Sequence, residues 1–323
     1  MTTTEIILLT LCIILGFLVL SYLLMNFLIV PLIISKKIYR HWLVRKSKDD
    51  WGHRCSDETN YEQRLMWDAG IAWAEEHKDA KKAVHIVSEG FNLYGEYFDF
   101  GYDKSVIIVP GRTETWTYSY FYAPSYERAG YNVLVIDKRA HGFSDGKYGD
   151  MGKFSSIDIV NWAKMLHEQF GINNITLHGI CIGCSICLYA YNRPECPEYV
   201  NCLVVEGMFT TFYDSFYRHM KEQRRPTRPY CWMIMKYAQH NTHEDYIHEG
   251  PIFEVKNCKK PVLFLFTTQD HYTYPEEAKA FLEKCGSKQK KLVWFEKGLH
   301  SHIRINNEEA YDKAIADFTE ETK

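Results

Sequence analysis

ITLHGICIGCSICLYAY, residues 175–191, places an apolar strand-like run, a glycine, a cysteine, a second glycine and an apolar helix-like run in immediate succession. Ile175, Thr176 and Leu177 suit a buried strand, and Cys184 to Tyr191 reads as an apolar helix. Between them, Gly179-Ile180-Cys181-Ile182-Gly183 has the layout of a G-x-S-x-G elbow with sulfur in place of oxygen. A strand-to-helix turn that sharp forces its middle residue into a strained conformation. Glycines two before and two after it leave room for the crowded backbone. The Cys181 side chain is thereby pushed outward over a helix N-terminus. The unpaired N–H groups and positive dipole end there favour a thiolate and a developing oxyanion.

Other readings of this stretch fit less well. Cys181, Cys184 and Cys187 form a C-x-x-C-x-x-C similar to part of an iron–sulfur motif, but the residue four beyond Cys187 is Tyr191 and no Cys-Pro follows. Ser185 lies one helical turn past the elbow and has no glycine at plus two. An inert Cys181 in a decayed elbow is the remaining alternative.

The chain has 323 residues, room for one large domain or two small ones, and its 46% hydrophobic content supports a sizeable core. Lys plus Arg number 38 against 41 Asp plus Glu, so no basic surplus points to nucleic acid as a partner. The ten cysteines sit within apolar runs of a long chain and are read as mostly reduced and buried, not as a disulfide framework.

From Ile6 to Ile34 there is no charged residue. This exceeds the ~20 apolar residues that cross a bilayer core but falls short of two crossings, so residues 1–35 are expected to form one transmembrane anchor. Met1 to Glu5 contains no Lys or Arg, and the run ends at bulky residues, which argues against a cleaved signal peptide. Lys36, Lys37, Arg40, Arg45, Lys46 and Lys48 follow at once, and such basic flanks are usually kept on the cytoplasmic side. Alternatively, this stretch with Trp42 lies along the headgroups in either orientation.

Residues 36–80 are expected to hold this basic linker, a polar stretch from Ser47 to Asn60, and a helix from Tyr61 to His77. Beyond them strand-like runs alternate with helical ones: Ala83–Val87, Leu93–Phe98, Ser105–Val109, Asn132–Ile136, Ile175–Leu177, Leu203–Val205, Val262–Phe266 and Leu292–Phe295. A hairpin followed by strand–helix units predicts a mostly parallel α/β sheet over residues 81–323. Phe209 to Lys260 breaks this rhythm with many aromatic residues and is read as a small helical cap, from which Phe209, Phe212 and Phe216 would face the substrate. Core packing is the other explanation of that aromatic stripe.

VIIVPGRTET (106–115), GYNVLVIDKRAHGFSDG (130–146), LHGICIG (177–183), PVLFLFTTQDHYTYPEEA (261–278) and GLHSHIRINNEEAY (298–311) occur in this order. Together they resemble α/β-hydrolases of the serine aminopeptidase S33 and lysophospholipase-like group, over roughly Ala83 to Phe318. The resemblance implies an α/β-hydrolase fold with Cys181 as nucleophile, Asp270 as acid member and His300 as base. His302 competes with His300, and a helix cap ahead of Pro275 is the plainer role for Asp270. The resemblance also implies an oxyanion hole from the backbone N–H groups of Arg112 and Ile182, although Pro110-Gly111 replaces the usual His-Gly. Family members usually read D-x-x-V-P at the acid, where this chain has Thr273-Tyr274 before Pro275. The run from Asp137 to Ser144 resembles the family's D-x-R-G-x-G-x-S and is assigned to the fold. Sulfur is the main departure. Cysteine elbows on this fold occur in dienelactone hydrolases, polyhydroxyalkanoate synthases and bile-acid acyltransferases, which gives weight to thioester or acyl-transfer chemistry. The expectation is acyl-group chemistry on an apolar, lipid-like ester or thioester at a membrane, with no metal or dissociable cofactor. An acyltransferase using the same triad and a non-catalytic binding protein are the rivals.

Overall fold

The computed structural model describes residues 2–44, 57–112 and 114–322. At the N-terminus α1 (Thr3–Leu24), a π-helical turn (Met25–Ile29) and α2 (Val30–Leu43) follow one another without interruption. Thr2 and Glu5 start this helix as a reciprocal cap, the Glu5 N–H donating to Thr2 Oγ1 at 3.3 Å and the Thr2 N–H to Glu5 Oε2 at 2.7 Å. Residues Thr3–Ile38 are long and apolar enough to cross a membrane. Helix continues past residue 35, so Lys36, Lys37 and Arg40 stand on α2 and not in a linker. Arg45, Lys46, Lys48 and most of the polar linker lie outside the described residues, and Asp57 to Asn60 already belong to α3 (Asp57–Glu76).

The sheet has eight strands: β1 (Lys81–Ser88), β2 (Phe91–Phe98), β3 (Ser105–Val109), β4 (Asn132–Ile136), β5 (Ile175–Ile180), β6 (Val200–Glu206), β7 (Val262–Thr267) and β8 (Lys290–Phe295). Their spatial order is β1-β2-β4-β3-β5-β6-β7-β8, with β1–β2 and β2–β4 antiparallel and the other pairs parallel. The β1–β2 hairpin turns through Glu89 and Gly90, at φ 50° and 80°. Two positive φ angles are what a two-residue turn needs to match strand twist. Strands β3, β4 and β5 are buried throughout, as strands covered by helices on both faces must be.

After β3 come α4 (Trp116–Ser119), a short 3-10 turn (Tyr120–Tyr122) and α5 (Ala123–Glu127). Helix α6 (Ser156–Phe170) precedes β5, and α7 (Ile182–Tyr191) leaves the elbow. Between β6 and β7 the chain forms α8 (Phe212–Glu222), α9 (Tyr230–Thr242), α10 (Pro251–Glu254) and a 3-10 turn (Val255–Asn257); this is the helical cap segment. Helix α11 (Pro275–Lys284) joins β7 to β8, and α12 (Ile303–Asn306) and α13 (Glu308–Glu321) close the chain. One core cluster joins Trp162 and Leu166 of α6, Leu188 of α7 and the cap's Phe216 and Met235. On the other face Met66 and Trp73 of α3 pack with Tyr120, Tyr126, Tyr311 and Phe318. Helix α3 is therefore a packed part of the domain, and the Trp73 indole N–H donates to Glu127 at 2.7 Å.

Candidate active site

β5 ends and α7 begins at Cys181, whose φ of 54° and ψ of −113° make it a strained elbow residue. The tightness of this turn explains its glycines. A Cβ on Gly179 would strike the Cys184 backbone, and one on Gly183 would strike the Val109 carbonyl at the end of β3. That contact sets the start of α7, with Ile182, against the loop that carries Arg112. The Cys181 N–H donates to the Glu206 carbonyl at 3.0 Å, tying the elbow to β6.

His300 stands beyond β8 and Asp270 beyond β7, and the fold brings both to Cys181. His300 Nδ1 lies 2.7 Å from Asp270 Oδ2, with both side chains largely enclosed. Its other ring nitrogen is left for the hydrogen bond with Cys181. Asp270 also accepts the N–H groups of Tyr272 and Thr273 at 2.7 and 3.0 Å and the Thr273 hydroxyl at 2.5 Å. Burial opposes ionisation of Asp270, but His300 and these donors outweigh it and hold the carboxyl below its ordinary value. Burial likewise pushes the Cys181 thiol up, yet the charge and hydrogen bond of His300, helped by Arg112, bring it below the ordinary thiol value. For His300 burial favours the neutral ring, while Asp270 and Cys181 raise its proton affinity well above normal. Both shifts run in the direction that favours a thiolate–imidazolium pair over the neutral thiol and imidazole.

The alternatives sit elsewhere. His302 Nδ1 bonds Glu62 of α3 at 2.8 Å. Ser185 is buried within α7, and the Cys184 thiol donates to the Gly179 and Glu206 carbonyls at 3.0 and 3.1 Å. Among the described residues every cysteine is free, and no group of three or more His, Cys, Asp or Glu converges to hold a metal ion.

Arg112 follows β3, and Ile182 is the first residue of α7, directly after Cys181. The loop around Arg112 is held by residues that sequence reasoning assigned only to the fold. Buried Lys138 donates to the carbonyls of Pro110 (3.1 Å), Gly111 and Glu114 (3.2 Å). His141 bridges the Arg139 and Arg112 carbonyls, each at 2.9 Å. The Gly111 N–H is occupied by Glu114 Oε2 at 2.8 Å. Fixing the carbonyls on one side of this ribbon orients its remaining N–H groups. A lysine and a histidine just after an apolar strand were the available signal.

A second group missed by sequence lies beneath the triad. The Tyr311 hydroxyl donates to Glu206 Oε2 at 2.6 Å and lies 3.2 Å from His178 Nε2. Burial pushes Glu206 up to about 7 and His178 down to about 3, so His178 is neutral. Polar residues within the apolar runs of β5 and β6 were the hint here.

On the cap, Phe209, Phe212 and Phe216 are buried in the core cluster, with Phe212 and Phe216 stacked at 6.0 Å. Phe209 and Phe212 also line a small cavity with Met151 and Ser185. From the cap, His219 reaches toward His300, its ring 5.3 Å from that of Tyr272; Tyr272 in turn meets His300 edge-on at 5.0 Å.

Architecture, elbow and strand order define an α/β-hydrolase fold. A family profile described as alpha/beta hydrolase fold matches residues 104–243. The uncharacterized protein YqkD of Bacillus subtilis (strain 168) is 25% identical over 217 residues, 67% of this chain and 70% of that protein. One crystal form of the Pyrococcus furiosus esterase Pf2001 superposes with a TM-score of 0.64 at 22% identity, over 77% of this chain and 95% of that one. The esterase EaEST of Exiguobacterium antarcticum gives 0.52 at 18% identity, over 74% and 100%.

Proposed function

We propose that the protein is a membrane-anchored hydrolase that cleaves apolar acyl esters or thioesters through Cys181, His300 and Asp270. The observation that carries this reading is the strained elbow cysteine joined to an imidazole that is itself oriented by a buried carboxylate. In the first half-reaction the Cys181 thiolate attacks the acyl carbonyl carbon. The oxyanion forms against the Arg112 and Ile182 N–H groups, and His300 delivers its proton to the departing oxygen or sulfur. In the second, His300 takes a proton from water, the hydroxide attacks the thioester, and the thiolate leaves with the acid released. If an alcohol or thiol replaces water, the same steps make an acyltransferase.

Esterases among the structural neighbours support hydrolysis. The resemblance to the serine aminopeptidase S33 and lysophospholipase-like group adds a lipid-like substrate. The long apolar helix supports anchoring by one crossing, and the basic residues on α2 favour a cytoplasmic catalytic domain. A fluorescent or alkaline phosphatase reporter fused after Lys323 tests the orientation.

The function itself is tested by screening the purified full-length protein against p-nitrophenyl esters and acyl-CoA thioesters of graded chain length. Turnover that disappears in Cys181→Ala is the expected result. Turnover unchanged in that variant would leave a binding role for the fold.

A further inference from the structure

The anchor does not simply lead to the domain. Helix α2 packs along α9 of the cap. Pro31 and Ser35 are buried, and Ile38 joins the core cluster; this spacing of four and three sets them on one helix face. The Arg40 charge reaches the Tyr237 hydroxyl of α9. About 20 residues after Ile6 suffice to cross the hydrocarbon, which ends the crossing near Met25. Pro31 then lies only ~9 Å further along the helix, at 1.5 Å per residue. A crossing of that length would hold the docked cap at the depth of the lipid headgroups.

The surface around this junction matches that depth. The loop between α8 and α9 exposes Arg224, Arg225 and Arg228, and α2 exposes Lys36, Lys37 and Arg40. Glu222 is the acidic residue among them, and it accepts the Tyr274 hydroxyl at 3.1 Å. Trp232 on α9 is 50% exposed, with Lys236 Nζ 5.9 Å from its ring. Arginines are drawn to anionic headgroups and a half-exposed tryptophan to the interface.

We propose that the outer surface of the cap is a bilayer-docking surface for anionic lipid, held there by α2, which lets the acyl substrate pass from the membrane to Cys181 beside the cap. This rests on the anchored-hydrolase reading. It deepens that reading because the docked loop continues directly into the rim of the site. The Arg225 N–H donates to the Met220 carbonyl at 2.8 Å, and the ring of His219, one residue earlier, packs at a tilt against the Tyr272 that meets His300.

The test uses full-length protein in nanodiscs of phosphatidylcholine alone or mixed with phosphatidylglycerol, carrying brominated acyl chains. The difference in emission between wild type and Trp232→Phe isolates Trp232. Docking predicts that this component is quenched, more strongly with phosphatidylglycerol; an unquenched component in both compositions overturns it. In parallel, Arg224→Glu/Arg228→Glu is expected to lose several-fold in turnover of a long-chain p-nitrophenyl ester embedded in the anionic disc, yet keep wild-type turnover of a water-soluble short-chain ester. Equal loss on both esters, or loss on neither, contradicts the proposal. If wild type turns over neither ester, the hydrolase reading fails and the quenching result alone decides the docking surface.

Discussion

At the scale of single residues, the proposed chemistry turns on what weakens the hold of a buried thiol on its proton. Burial alone would raise the Cys181 pKa, and the charge and hydrogen bond of His300 reverse the sign. A lowered pKa keeps the thiolate populated as pH falls, and it is lost only when pH passes below that value. Iodoacetamide should therefore label Cys181 faster at neutral pH than Cys184, Cys187, Cys202 and Cys231, whose thiols burial pushes up, with a rate that holds to lower pH than theirs. In His300→Ala the favourable charge is gone while burial remains, so neutral-pH labelling should fall; peptide mapping by mass spectrometry ranks the sites. An unchanged rate in that variant would contradict the pairing. Lys138 supports a second prediction. Lys138→Met removes the donor shared by three carbonyls of the Arg112 loop, and a small misplacement of catalytic groups costs up to about 10²-fold in rate. The loss should appear in kcat with KM little changed, because the proposed mechanism sets the Arg112 N–H against the developing oxyanion; an unchanged kcat would mean the clamp is dispensable. Cys181, Asp270 and His300 were legible because each stands in a local pattern and in the chain order this fold uses. Lys138, His141 and Glu206 were not, because their partners Pro110, Arg112 and Tyr311 are distant in sequence and only the fold brings them together.

Among elements, all eight strands were legible from apolar runs, and β3 and β4 match their expected limits residue for residue. β5 and β6 run further than expected, to Ile180 and Glu206, because backbone pairing continues through polar His178 and Glu206, which hydropathy reads as an end. The N-terminal helix also outlasts its apolar run, since docking on α9 covers one face while Lys36, Lys37 and Arg40 project from another. The cap was legible as an interruption of the strand–helix rhythm, but the direction of its aromatic side chains was not. With 6% and 2% exposure, Phe212 and Phe216 are filled core positions. Phe212→Ala and Phe216→Ala should each cost about 3–5 kcal/mol of stability, the usual range for a buried Phe. Denaturant unfolding of the detergent-solubilised protein measures this. A cost below about 1 kcal/mol, with a changed chain-length preference, would instead place these rings against the acyl chain.

Over the whole molecule, the sheet gathers loops from β3, β5, β7 and β8 into one site, and the cap links that site to the N-terminal helix. Every part of the proposed function passes through one covalent event, the transfer of an acyl group to Cys181. Intact-mass spectrometry of the full-length protein, quenched in acid during turnover of a p-nitrophenyl ester, observes that event directly. A single acyl adduct that maps to the peptide carrying Cys181, is absent in Cys181→Ala, and accumulates more slowly in His300→Ala is the predicted result. Turnover with no adduct on Cys181, or an adduct that persists in Cys181→Ala, would contradict the account.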